Sequence, residues 1–155
     1  MKSPTYGEVS LKRTFKIIKE YIKSQPNEKY HITVGTDSQN FDVTKTVVVI
    51  AVWRVGKGGI FFYEVKKEKK INNLQQKIYY ETSISLDIAN KLTKALQKEN
   101  LPYDVSIHVD IGRNGPTAKV IPEIVGWITS CGYKCEIKPN SYTASGIANK
   151  FTKHK

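Results

Sequence analysis

The sequence predicts a single α/β domain over residues 1–155, built on a five-stranded mixed sheet of three antiparallel strands followed by parallel ones, with helices on both faces and an extra N-terminal helix. Three observations predict it. Three β-branched runs follow one another through short polar breaks between residues 30 and 67. After them, segments of helical period alternate with short apolar runs, an order that needs right-handed crossovers and therefore parallel pairing. The third is size: 155 residues, 39% hydrophobic and 25% charged, bury one core without staples and do not fit a disordered chain.

Each element has its own signal. Between residues 7 and 24, Leu11, Phe15, Ile18 and Ile22 recur at helical spacing with lysines on the other side, and Gln25-Pro26-Asn27 ends this helix. The core is expected over residues 30–155. HITVGTDSQ (31–39), TKTVVVIAVWRV (44–55) and IFFYEVKK (60–67) read as strands, the last two joined as a hairpin through Gly56-Lys57-Gly58-Gly59. Residues 71–100 read as one long helix whose inner face runs through Leu74, Ile78, Ser85, Ile88, Leu92 and Ala95. The position that completes this series is Glu81, so a carboxylate points inward. DVSIHVDIG (104–112) is a strand, and residues 117–131 form a helix with Pro122 in its first turns or kinking it. YKCEIKP (133–139) is a short strand, and SYTASGIANKFTK (141–153) a short C-terminal helix.

Charge points to a class of partner. Twenty-five Lys and Arg against 14 Asp and Glu leave a net +11, which favours a polyanion, nucleic acid first and an anionic membrane surface second. Lysines that only keep the chain soluble are the competing reading. No apolar run approaches the roughly 20 residues of a membrane span. MKSPTYGEVSLKR has no apolar stretch behind its first basic residue, so no secretory leader and a cytoplasmic location are expected. Cys131 and Cys135, with His31, His108 and His154, lack zinc-ligand spacing and read as reduced thiols.

Three acids stand apart. Asp37 closes the first strand in VGTDSQ, and Asp110 holds the same place on the fourth. If these strands are parallel neighbours, both carboxylates emerge at one sheet edge, where the inward Glu81 also reaches. Clustered, partly buried anions are relieved by protonation or by a cation, and hard oxygen donors without clustered His or Cys point to Mg²⁺ or Mn²⁺. Competing readings remain for each acid: Asp37 and Asp110 as turn caps, Glu81 as half of a buried ion pair.

VGTDSQ (34–39), Glu81, HVDIG (108–112), EIVGWITSCGY (123–133) and KPNSYTASGIANKFTK (138–153) together resemble the ribonuclease H-like superfamily, most closely its YkuK-type bacterial group. The resemblance implies hydrolysis of phosphodiester bonds by two divalent ions held by carboxylates, with Asp37 bridging and Glu81 and Asp110 completing the set. Superfamily nucleases commonly place a fourth acid on the last helix. No Asp or Glu follows Glu136 here, and the neutral Asn149 stands nearest that place.

Around the site, Ser38, Gln39, Arg113, Lys119, Lys138, Lys150 and Lys153 are the candidate nucleic-acid contacts. Lys67, Lys69 and Lys70 form a second basic cluster, read either as a solvated flank of the long helix or as a further contact. Tyr142 is a candidate for stacking on a base, while Phe151 suits core packing better. His108 reads as a core or supporting histidine, Glu123 as an alternative ligand or a helix-start acid, and Asp42, Glu64, Asp87 and Asp104 as solvent-facing. The expected function is a metal-dependent nuclease acting on RNA, RNA–DNA hybrid or structured DNA. The alternatives are a nucleic-acid-binding protein that kept the fold without turnover, and a structural or regulatory protein docking through its N-terminal helix.

Overall fold

The longest apolar run of the sequence becomes the middle of the sheet in the computed structural model, which describes residues 1–138. Strands β1 (Lys2–Ser3) and β2 (Gly7–Glu8) precede helix α1 (Leu11–Ser24). Then come β3 (Tyr30–Asn40), β4 (Thr44–Arg54), β5 (Gly59–Glu68) and helix α2 (Leu74–Lys98). The chain continues through β6 (Val105–His108), a 3₁₀ turn at Ala118–Val120, helix α3 (Ile121–Ser130) and β7 (Lys134–Glu136). In space the order is β2-β1-β5-β4-β3-β6-β7. β3, β4 and β5 pair antiparallel, and β6 and β7 add in parallel, as the crossovers require.

The expected α/β class and mixed sheet stand, but among the described residues the sheet has seven strands where five were expected. The two extra strands are two residues each, too short to show an alternation in sequence. β1 pairs with β2, and Lys2 bridges to Tyr63 on β5. The first helix accordingly begins at Leu11, where Ser10 Oγ accepts the Arg13 amide hydrogen at 3.0 Å. The fourth predicted strand stops at His108, leaving Asp110 two residues beyond it. Lys66 and Lys67 lie in β5, as the strand expected over 60–67 requires, and the strand runs one residue further to Glu68. Pro122 is the second residue of α3, where a missing amide hydrogen costs nothing.

β4 is buried on both faces from Thr44 to Val52, as a central strand must be. On one face Val48, Ile50 and Val52 join Ile32, Val34, Phe62 and Ile107 in a single core with residues of α1, α2 and α3. On the other face Val47 and Val49, both fully buried, pack with Tyr63. Along α2 the inner face is Ile78, Glu81, Ser85, Ile88, Leu92 and Leu96. The inner face drifts from the expected row at both ends: Leu74 lies in the first turn, 40% exposed, and Leu96 takes the buried place expected of Ala95. Among the described residues no helix is long and apolar enough to cross a membrane. The predicted helix 141–153 lies outside the described residues.

This register gives a stability test. Leu92→Ala, at a fully buried position, is expected to cost about 2–5 kcal/mol in urea unfolding, and Leu74→Ala under about 1 kcal/mol. Equal losses would mean that α2 is rotated from the orientation described.

Candidate active site

Geometry brings Ser38 and Glu81 together, with Asp37 close enough to act on Glu81 by its charge, because β3 and α2 advance at matching rates. Thr36 Oγ1 and Ser85 Oγ share a hydrogen bond of 2.7 Å, and Ser38 Oγ donates to Glu81 Oε1 at 3.0 Å. Two residues of strand rise about 6.6 Å and four residues of helix about 6 Å, so the two bonds fit one seam. The pairs run in opposite senses, as they must when a helix returns the chain to a parallel strand.

Asp37 is 7% exposed and Glu81 9%. The Ser38 amide donates to Asp37 Oδ1 at 3.0 Å, so this serine holds both acids, one by its backbone and one by its side chain. β6 pairs with β3 at Gly35 and His108, and carrying that register forward two residues sets Asp110 opposite Asp37. Asp110 is the more open, its side chain 32% exposed, and it takes Lys138 Nζ on Oδ1 at 2.9 Å. A narrow cleft with about 10 Å³ of free space, room for one water-sized species, is lined by Glu81, Asp110, His108, Thr36 and Ser85 among others.

The three acids feel one another. Burial first, then the charge of Asp110, pushes the Asp37 carboxyl up to about 6, against the pull of the Ser38 amide, Lys77 and Lys138. Burial and then Asp37 push Glu81 to about 8, with Ser38 and Lys77 opposing and Asp110 adding to the rise. Even so, among the described residues no three Asp, Glu, His or Cys side chains close into a metal-ligand cluster. Each acid is turned onto a protein partner: Asp37 and Glu81 onto Ser38, Asp110 onto Lys138.

The other predicted residues scatter. Ser38 sits in the seam, while Gln39 is one step nearer the hairpin, in register with Lys45, which in turn faces Lys67. A hollow of about 260 Å³ opens there beside Phe41 and Val43, and Lys45, 7% exposed, is a basic residue that sequence reading passed over. Its place inside a β-branched strand hid it. Arg113 and Lys119 are exposed on the stretch after Asp110, and Lys138 lies on the acids themselves. His108 is buried in the cleft wall. Glu123 hydrogen-bonds Tyr79 across α2 and α3, raising the tyrosine's pKa. Asp42, Asp87 and Asp104 are exposed, as expected, while Glu64 is half-buried, with its side chain 3.9 Å from Lys66 Nζ. Cys131 and Cys135 are free thiols, and burial raises Cys135 to about 11. Asn149, Lys150, Lys153, Tyr142 and Phe151 lie outside the described residues. Ser38 as the clamp of both acids was the element missed as such; its signal was its place directly after Asp37.

Comparison with known proteins gives concordant results. The sequence profile described as ribonuclease H-like matches residues 13–153. A relative described as uncharacterized protein YkuK, from Bacillus subtilis (strain 168), is 34% identical over 149 residues, covering 88% of this chain and 87% of the relative. Among solved structures, the catalytic domain of Mos1 mariner transposase superposes at a TM-score of 0.35 with 13% identity, over 96% of this chain and 75% of that one. The same catalytic domain with raltegravir and Mg gives 0.32 and 14%, over 91% and 68%.

The raised carboxyls set a pH dependence. The native state keeps protons on Glu81 and Asp37 that the unfolded chain releases from about pH 4 upward. Their stabilising contribution is therefore full below that pH and is lost as pH rises through about 6 and 8. In buffer with chelator, wild-type stability is expected to fall between pH 5 and 9, and Glu81→Gln to remove part of that fall, on the order of 1–3 kcal/mol. Parallel pH profiles of the two proteins would contradict the burial of an ionisable Glu81.

Proposed function

The chain belongs to the ribonuclease H-like family, and from that premise we propose that it is a metal-dependent nuclease hydrolysing phosphodiester bonds of RNA, RNA–DNA hybrid or structured DNA. The observation that carries the reading is the mutual electrostatic influence of Asp37, Glu81 and Asp110 in a chain with net charge +11, which with burial lifts the first two above the usual carboxylate range. Surplus negative charge of this kind suits a hard divalent cation, and the oxygen donors of Glu81 and Asp110 in the narrow cleft, with Asp37 electrostatically coupled to both, suit Mg²⁺ or Mn²⁺.

Asp37, Glu81 and Asp110 would hold the ions, with Asn149 the neutral candidate at the fourth place. When bound, such ions supply Lewis-acid activation of water and charge neutralisation at the scissile phosphate. Asp37 lies between the other two acids electrically, which suits it to the shared position. Ser38 orients Asp37 and Glu81 before any substrate arrives, so no rotamer search precedes ligation. Ionising Glu81 needs either high pH or a nearby cation, which ties the competence of the site to its loading. Arg113 and Lys119 present exposed cations beside Asp110 for the phosphate backbone, and Gln39, Lys45 and Lys67 extend a polar and basic row from Asp37 across the sheet. Lys150 and Lys153 complete the proposed contacts. A second reading, nucleic-acid binding without turnover, is favoured by the Lys138 ammonium already seated on Asp110.

The test is cleavage of end-labelled single-stranded RNA, duplex RNA, RNA–DNA hybrid and a four-way DNA junction in Mg²⁺ and Mn²⁺. Cutting of at least one substrate is expected, with a loss of about a hundredfold or more in Asp37→Asn. Cutting unchanged in Asp37→Asn would refute the assignment. Salt-sensitive binding with no cutting in either metal would favour the second reading.

A further inference from the structure

Lys138 is held over the acidic site by three separate contacts. Its backbone amide donates to the Ile111 carbonyl at 3.0 Å, and the Val109 amide donates to the Glu136 carbonyl at 2.9 Å, so the two chains stay side by side past the ends of β6 and β7. Its aliphatic stem lies against Gly112, where an added Cβ would stand 3.4 Å from both Cβ and Cδ of the lysine. Its ammonium ends 2.9 Å from Asp110 Oδ1. The charge also reaches past Asp110, since Lys138 acts on Asp37 as a favourable neighbour.

An ammonium at this distance occupies one acceptor site of Asp110 Oδ1, and its positive charge opposes a divalent ion brought to the same carboxylate. The pair nonetheless faces water, with the lysine side chain 58% and Asp110 32% exposed, and an ion pair so open is weakly held. Backbone bonds fix where the stem starts, while the head is free to swing outward.

Resting on the metal-dependent reading of the preceding section, we propose that Lys138 is a resident counter-cation of the acidic site. It neutralises Asp110 in the unloaded protein, and its charge opposes a divalent ion on that carboxylate until the head swings outward. Lys138 thereby sets the ion concentration at which the site loads. The device is a competition between two cations for the charge of one carboxylate, and it acts on loading whatever the nucleic acid.

The experiment is a calorimetric titration of the full chain with Mn²⁺ alone, in wild type, Lys138→Met, Lys138→Gln and Asp37→Asn. Lys138→Met keeps the stem and removes the charge, and Lys138→Gln does so with a polar end. Both are expected to bind Mn²⁺ about tenfold more tightly than wild type. Tight binding by these variants alone, with wild type silent, supports the same conclusion. Equal or weaker affinity in both variants, with binding lost in Asp37→Asn, would overturn the counter-cation role and leave the metal site standing. Failure of wild type and both Lys138 variants to bind at millimolar Mn²⁺ would overturn both.

Discussion

Keeping two carboxyls out of water is the constraint around which the site of this protein is arranged. An ionised group buried without compensation costs several kcal/mol, so the fold must supply either a proton or a partner. It supplies both in part: Ser38 donates twice, and the pKa of each acid rises, to about 6 at Asp37 and about 8 at Glu81. The seam of Thr36 with Ser85 and Ser38 with Glu81 makes this possible, because a helix one residue out of register would aim Glu81 away from the strand.

The same seam explains why the sheet is built as it is. β4 is apolar on both faces and occupies the centre, so β3 sits one strand in, with β6 beside it in parallel. Parting of the strands after Gly35 and His108 then opens the narrow cleft between Asp110 and α2. A ligand site where neighbouring parallel strands end is what open α/β sheets offer generally. The acids here use that place without a glycine-rich loop.

Much of this was legible in the sequence. β3, β4, β5 and α2 announce themselves through β-branched runs and a sustained helical period, and Glu81 was visible because it interrupts an apolar series. Asp37 and Asp110 were picked out as strand-end acids, although Asp37 lies inside β3, which runs on to Asn40, and Asp110 lies just beyond β6. Other features were not legible, for physical reasons. β1 and β2 are two residues each and carry no periodicity. The contact of Lys138 with Asp110 joins residues just past the ends of two different strands, set by the pairing of β6 with β7 and by the bare backbone of Gly112. Lys45 carries no signal of its own inside a hydrophobic strand, and only the closure of both sheet faces buries it.

The charge run at 66–70 has a bearing on how the folded protein behaves in a crowded solution. β1 covers β5 by a single bridge at Tyr63, after which the outer rim of β5 reads Glu64-Val65-Lys66-Lys67-Glu68. A bare rim of backbone amides and carbonyls is a template on which another chain's strand can grow. Here the rim carries alternating and clustered charge, and Val65 is its one exposed aliphatic side chain. At the opposite margin the sheet ends in β7, three residues long and too short to seed an addition. The lysines of β5 therefore act as gatekeepers, and replacing them with apolar residues would turn an internal sheet into the first layer of an aggregate.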